Sequence, residues 1–304
     1  MSKVLGVIGA TGNQGGSVID FVLNDQQLSA QYRIRAFTRD ASKDSGQALR
    51  AKGVEVIEAD VADKSSLVSA FKGVNVLFAM TSLGPDGSEV AAGKNLADAA
   101  VQSGVQYIIF STLPPSNKIS NGKYYIPHFE EKAEVEQYIR SLGIKSSFFL
   151  PSSFMENFYT SMKPQKQSDG TYVIEFLEND GNPRFPFIDI KRDTGNYVGY
   201  ILNHQDECQG KVIFGAVQSV TAEELAQVMS KSTGKTITVR KVPRDKYLSF
   251  LPAQMHKAMC DMYDYLCEYE LVPDVVNRIK QDSKYVVKPL TTLEQYLADY
   301  AIPN

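Results

Sequence analysis

The stretch Val4-Leu-Gly-Val-Ile-Gly-Ala-Thr-Gly-Asn-Gln-Gly-Gly16 limits what this chain can fold into more than any other. An apolar run stops at three glycines spaced three apart (Gly9, Gly12 and Gly15), and a helix-like pattern follows from Ser17. The physical reading is a buried strand, a tight turn and a helix whose N-terminus points free N–H groups at an anion. Gly9 permits the turn, Gly12 lets the backbone approach a pyrophosphate, and Gly15 lets the helix pack on the strand. Thr11, Asn13 and Gln14 complete the loop around such a group. A glycine triplet alone is weak evidence, but a strand before it and a helix after it supply the confirming context. A dinucleotide site is expected here.

Whatever surrounds that site has ample material for a core. At 304 residues, about two domains are expected, and 43% hydrophobic with 22% charged residues is ordinary for a globular protein. The formal net charge is -3 with no block of Lys or Arg, which argues against direct nucleic-acid binding. No apolar run reaches transmembrane length, and the N-terminus reads as a core strand rather than a signal peptide. Cys208, Cys260 and Cys267 make neither a disulfide framework nor a CxxC pair, and three scattered histidines make no zinc cluster. A metal-free protein of the cytoplasm is expected, with a nuclear location left open.

The first half alternates strand and helix. Strands are expected at Val4–Ile8, Tyr32–Thr38, Val54–Glu58, Val74–Met80, Tyr107–Ser111 and Lys145–Leu150. Amphipathic helices are expected at roughly 14–24, 43–52, 64–71, 87–103 and 129–141. That rhythm means an α/β fold, a doubly wound parallel sheet with helices on both faces. Gly53, Gly73, Gly104 and Gly143 each fall just past a helix, where a left-handed cap is wanted. After Pro151 the pattern changes: 152–186 reads as aromatic and irregular, and Asp189 opens a short helical stretch. A strand follows at Lys211–Phe214, then a helix capped by Thr221-x-x-Glu224 and ended by Gly234. A strand at Thr236–Val242, a helix from about Pro252 to Glu268 and a last helix, Leu293–Tyr300, capped by Thr291-x-x-Glu294, complete the chain. The division expected is a Rossmann domain of 1–151 plus about 187–216, and a smaller α+β domain of 152–186 plus 217–304. A cleft lies between them at the C-terminal edge of the strands.

The second strand ends in Arg39-Asp40, where this fold chooses its cofactor. An acidic side chain there bonds a ribose 2′-OH, whereas an arginine accommodates a 2′-phosphate. Arg39 favours NADP(H) through bidentate pairing, and Asp40 is the rival that argues for NAD. Asp60, ending the third strand, either meets an adenine edge or caps the helix near Lys64. Thr81 and Ser82, after the fourth strand, either flank the pyrophosphate and nicotinamide ribose or only start a turn. Met255, Met259, Met262, Tyr263, Tyr265 and Tyr269 enrich one helical segment and read as core before they read as a partner groove.

The segment Tyr124-Tyr-Ile-Pro-His128-Phe-Glu-Glu-Lys132 brings a resemblance into view. With the Gly9–Gly15 loop, Arg39, Glu134-Val-Glu136, Pro151-Ser-Ser-Phe-Met-Glu-Asn-Phe158 and Thr291-Thr-Leu-Glu294, the chain resembles the NmrA-like family across nearly its whole length. That family belongs to the atypical, extended branch of the short-chain dehydrogenase/reductase superfamily and includes an NADPH sensor. The resemblance implies that Lys132 holds the nicotinamide ribose. It also implies that Phe154, Asn157 and Phe158 line the cleft, although Phe154 and Phe158 also read as core. Active relatives use Tyr-x-x-x-Lys, in which the tyrosine exchanges a proton with substrate; here His128 occupies the tyrosine position. An imidazole can donate a proton near neutral pH, and Tyr124 or Tyr125 are possible substitutes from the preceding loop. Ser111-Thr112 stands where the family's catalytic serine would be. Two functions follow from the resemblance. The first is an NADP(H)-binding sensor or regulator acting through a protein partner; the second is an NADPH-dependent reductase of quinones or related conjugated carbonyls.

Overall fold

The structure is a computed structural model that describes residues 2–82, 89–178, 181–249, 251–298, 300 and 302. In chain order the first half comprises β1 (Lys3–Val7), α1 (Asn13–Asn24), α2 (Gln26–Gln31), β2 (Tyr32–Thr38), α3 (Asp44–Ala51), β3 (Glu55–Glu58) and α4 (Lys64–Ala70). It continues with β4 (Val76–Ala79), α5 (Glu89–Gln102), β5 (Tyr107–Ser111), α6 (Ser116–Ile119), α7 (Pro127–Ser141) and β6 (Lys145–Pro151). The second half begins with β7 (Ser153–Phe154), β8 (Gln165–Lys166), β9 (Tyr172–Leu177), β10 (Phe185–Ile188), α8 (Ile190–Asn203), α9 (Gln205–Cys208) and β11 (Val212–Gly215). It ends with β12 (Gln218–Val220), α10 (Ala222–Thr233), β13 (Ile237–Val242), α11 (Arg244–Leu248), α12 (His256–Tyr269), α13 (Val275–Asp282) and α14 (Leu293–Ala298).

Strand residues that alternate in sequence divide between two cores. Val76, Phe78, Tyr107 and Ile109 face one side with Val18, Ile19 and Val22 of α1 and Tyr197, Val198 and Ile201 of α8. Leu77, Ala79, Ile108 and Phe110 face the other with Leu67 of α4, Leu96 and Ala97 of α5 and Val135 and Ile139 of α7. A strand buried on both faces needs apolar residues at every position, which is why β4 and β5 read as unbroken apolar runs. Among the described residues, seven parallel strands form one sheet in the order β11-β6-β5-β4-β1-β2-β3. The order reverses direction between β1 and β4, so a crevice opens at their C-terminal ends. Gly53, Gly73, Gly104 and Gly143 all adopt positive φ after their helices.

The remaining strands form two small mixed sheets, β12-β10-β7 and β13-β9-β8. Their core gathers Phe158, Ile174, Phe187, Leu225, Met229, Leu293 and Leu297. The region 152–186, expected to be irregular, contains β7, β8, β9 and the start of β10, because its aromatic and β-branched residues supply pleated, half-buried surface. The stretch opened by Asp189 is a helix of 14 residues, with the Asp189 side chain accepting the Arg192 N–H. The capping box at Thr221 and Glu224 is formed, and Gly234 closes α10 in the left-handed region. The final cap is shifted by one residue from the expected Thr291–Glu294. Thr292 accepts the Gln295 N–H at 3.1 Å and the Gln295 side chain accepts the Thr292 N–H at 2.9 Å. The last helix is correspondingly assigned to Leu293–Ala298. Residues 87 and 88, the expected start of α5, lie outside the described residues.

The α12 segment corrects another expectation. Of its stripe only Tyr265 is buried, Met255 just before it is 43% exposed, and the others are half-buried. Tyr265 packs with Tyr124, Phe129, Leu150, Phe214 and Val275, Met262 and Tyr269 pack against that cluster, and Tyr263 packs against the core of the small sheets, so the core reading holds for these four.

Helices α1 and α8 approach closely because Gly195 has no side chain. A Cβ at Gly195 would overlap the Ser17 carbonyl and the Phe21 side chain, and its N–H donates to Ser17 Oγ at 2.9 Å. Overpacking of this kind costs about 1–3 kcal/mol. Gly195→Ala is therefore expected to lower the melting temperature by several degrees, read by calorimetry; an unchanged melt would mean that the two helices separate freely.

Candidate functional site

The crevice is built first from backbone. Gly9 ends the β1 turn at φ +68°, and Gly12 N–H donates back to the Gly9 carbonyl at 2.9 Å. A Cβ at Gly15 would overlap that same carbonyl and lie 2.9 Å from Ala10 Cα, so α1 can start this close to β1 only with glycine there. Gly12 is the N-cap of α1, with no side-chain cap and no acidic residue in the first turn. The helix thus presents free N–H groups and the positive end of its dipole to the crevice. Thr11, Gly12 and Asn13 are exposed at the loop tip, whereas Gln14 is buried and its Oε1 has no hydrogen-bond partner among the described residues.

Arg39 and Asp40 differ sharply in how they are engaged. The Asp40 carboxylate accepts Ser42 Oγ at 2.5 Å and Ser42 N–H at 2.9 Å, which hold it below the usual carboxylate range. Arg39 is exposed and has no hydrogen bond or ion pair among the described residues. Asp60 is also exposed and accepts the Ala62 N–H at 3.0 Å. It does not cap α4; Asp63 does, accepting the N–H groups of Ser65 and Ser66. A bare backbone cradle, an uncapped helix end and an unpaired guanidinium fit a phosphorylated dinucleotide.

On the other side of the crevice stands α7. Lys132 donates to the Thr81 carbonyl at 2.7 Å, approaches Thr81 Oγ1 at 3.4 Å, and is ion-paired with Glu89, the first residue of α5. Glu89 is 1% exposed and Thr81 is buried. Sequence reasoning missed Glu89, since 43 residues separate it from its partner and no local pattern links them. His128 lies one turn before Lys132, half-buried. Burial and, after it, the Lys132 charge hold its pKa below the ordinary imidazole value, with Glu89 opposing. On balance these influences favour the neutral form of the ring. Of the two tyrosines in the preceding loop, Tyr124 Oη donates to Glu268 at 2.6 Å, and Tyr125 is 53% exposed. Ser111 and Thr112 are buried at the end of β5.

Phe154 is half-buried against the core shared with α1, and Asn157 is half-buried with no hydrogen bond to its side chain among the described residues. Phe158 does not line the crevice; it is fully buried against Phe187. Glu156 between them accepts the N–H groups of Lys191 at 3.0 Å and Ile190 at 3.3 Å, tying this wall to the start of α8. Ser82 is exposed after Thr81. No group of three or more potential metal ligands occurs among the described residues, and no helix there is long and apolar enough to cross a membrane.

Three carboxyls gather at the start of α8: Glu156, Asp189 and Asp193. Burial pushes all three above the usual carboxylate range, Asp193 to about 7. Asp193 accepts the Thr291 N–H at 3.0 Å, docking the segment before α14. A carboxyl with a raised folded-state pKa stabilises fully below its unfolded value, about 3.9, and loses that contribution as pH rises through the folded value. The melting temperature is expected to fall between about pH 5 and about pH 8, and Asp193→Asn, which keeps an acceptor for Thr291, to reduce that slope. An unaltered slope in Asp193→Asn would show that other groups carry it.

Comparison with known proteins adds the following. A model of the NmrA-like family matches residues 1–297. The NmrA-like family domain-containing oxidoreductase FrzB of Cladobotryum sp is 30% identical over 255 residues, covering 77% of this chain and 75% of that protein. The fold matches NmrA, a negative transcriptional regulator solved in complex with NADP, at a TM-score of 0.81 and 21% identity over 98% of this chain and 95% of that one. It also matches the NADPH-dependent quinone oxidoreductase QOR2 of Escherichia coli, complexed with NADPH, at 0.77 and 23% over 97% and 98%.

Proposed function

The chain belongs to the NmrA-like family, and on that premise we propose that it is an NADP(H)-binding sensor or regulator whose cofactor state is read by a protein partner. One contrast carries the proposal: a glycine turn and an uncapped helix end fit a pyrophosphate, while His128 stands where active relatives hold a tyrosine. In this reading Gly9, Thr11, Gly12, Asn13, Gln14 and Gly15 hold the pyrophosphate, and Arg39 pairs with the 2′-phosphate. Asp60 lies toward the adenine; Thr81 and Lys132 hold the nicotinamide ribose; Phe154 and Asn157 form the wall beside the ring. Asp40 supports NADP(H) over NAD because Ser42 already occupies its carboxylate. A regulator that acts through a protein needs no basic surface, and the net charge of -3 is consistent with that.

A second reading is a reductase of quinones or related conjugated carbonyls. It draws on the oxidoreductase FrzB among the relatives and on the fold likeness to QOR2. When bound, a reduced nicotinamide supplies hydride, and a quinone accepting it needs no strongly placed acid. A simple ketone does, because its alkoxide must be protonated.

Two measurements test these readings. Losing a charge-assisted pair removes about 1.5–3 kcal/mol, so Arg39→Glu is expected to weaken NADPH binding about 10- to 100-fold and to spare NADH. Equal losses for both would sink the 2′-phosphate assignment. NADPH consumption against a panel of quinones, aldehydes and ketones separates the functions. Saturable turnover with quinones makes the protein a reductase, and binding without turnover leaves the sensor.

A further inference from the structure

Lys132 carries three N–H bonds, and the structure spends them unequally. One faces the Glu89 carboxylate and one the Thr81 carbonyl at 2.7 Å; the 3.4 Å approach to Thr81 Oγ1 is long and weak. The two firm acceptors belong to the start of α5 and to the segment two residues past the end of β4. Two fixed bonds on a tetrahedral ammonium determine the direction of the third. Glu89 is 1% exposed and Lys132 16%, so the lysine cannot swing away without stranding a buried carboxylate. Glu131 adds to the same environment, its own carboxyl raised by burial and by Glu89.

We propose that Glu89 is a positioning residue: its carboxylate fixes the Lys132 ammonium so that the remaining N–H is held for the nicotinamide ribose. The inference rests on the NADP(H) reading and concerns how that site is prepared. The carboxylate also neutralises the lysine locally, which leaves Lys132 a holder of the cofactor rather than an activator of a proton donor. A bridge that merely joined α5 to α7 would stabilise the fold without touching cofactor affinity.

The test is a double-mutant cycle on NADPH affinity, read by cofactor fluorescence and calorimetry, with the melting temperature of each variant recorded. Glu89→Gln is expected to weaken NADPH about tenfold, as loss of one charge-assisted bond implies. Glu89→Asp, which retains the charge one methylene further back, is expected to recover part of that loss. In a Lys132→Met background, Glu89→Gln is expected to cost no further affinity, because it acts only through the lysine. Should Glu89→Gln not fold, Glu89→Asp with and without Lys132→Met completes the same cycle. A lowered melting temperature with unchanged affinity, or losses that add in full, overturns the positioning role. Absence of NADPH binding by the wild-type chain overturns the cofactor reading, and this proposal with it.

Discussion

Gly15 rests its bare Cα against the carbonyl of Gly9, and much of the architecture follows from that backbone contact. It brings the first turn of α1 to the end of β1, closer than any side chain would permit. On its far side the same helix is held by α8, through Gly195 against the Ser17 carbonyl and the bond from its N–H to Ser17 Oγ. A helix clamped from both sides cannot reorient, so the dipole and free N–H groups at its N-terminus stay aimed at the crevice. Pre-organised donors bind an anion without the ordering cost that side chains would incur. Glycine is required at both contacts for lack of space, and at Gly9 for its backbone angle as well.

Charge is distributed with the same economy. Arg35 and Arg39 lie four residues apart, yet only the first is consumed by the fold. Arg35 pairs with Glu55 at 2.8 Å and donates to the carbonyls of Lys72 at 2.7 Å and Ala70 at 3.1 Å. Arg39, past the end of the strand, has no such partner among the described residues. The adjacent acid is closed off by Ser42 rather than by the arginine. A guanidinium left exposed at this edge is available for the binding role proposed above, as Arg35 is not. Across the crevice the balance is reversed, with the Lys132 cation matched by a buried anion.

Local rules made the doubly wound sheet legible in the sequence. Strand alternation, four left-handed caps, the glycine loop and the Thr221–Glu224 box all arise from contacts within a few residues. What escaped depends on distant partners. β9 pairs with β13 across more than sixty residues, and neither strand's surroundings announce the other. The last capping box slipped by one because Thr291 and Thr292 are adjacent and each is followed three residues later by an acceptor. Tyr124 read as a spare phenol until α12 brought Glu268 to its hydroxyl. Glu89 and Glu156 were invisible for the same reason: each carboxylate answers a need created elsewhere in the fold.

The replacement of a phenol by His128 is more than a change of side chain, because the positive charges nearby act on the two groups in opposite ways. His128 sits in the first turn of α7, directly after Pro127, and the N-cap Ile126 provides no side-chain oxygen. The helix dipole there disfavours a cation, as do burial and the neighbouring Lys132. The positive charge of Lys132 and the helix end would help a phenol ionise, whereas together with burial they favour the neutral form of an imidazole. In the proposed reductase reading, an acceptor of hydride at this position would carry its own means of stabilising the charge it receives, as a quinone does. Binding of the cofactor demands nothing from His128. The sensor and the quinone reductase consequently share one binding site, and they diverge only in whether an electron-poor acceptor can reach it.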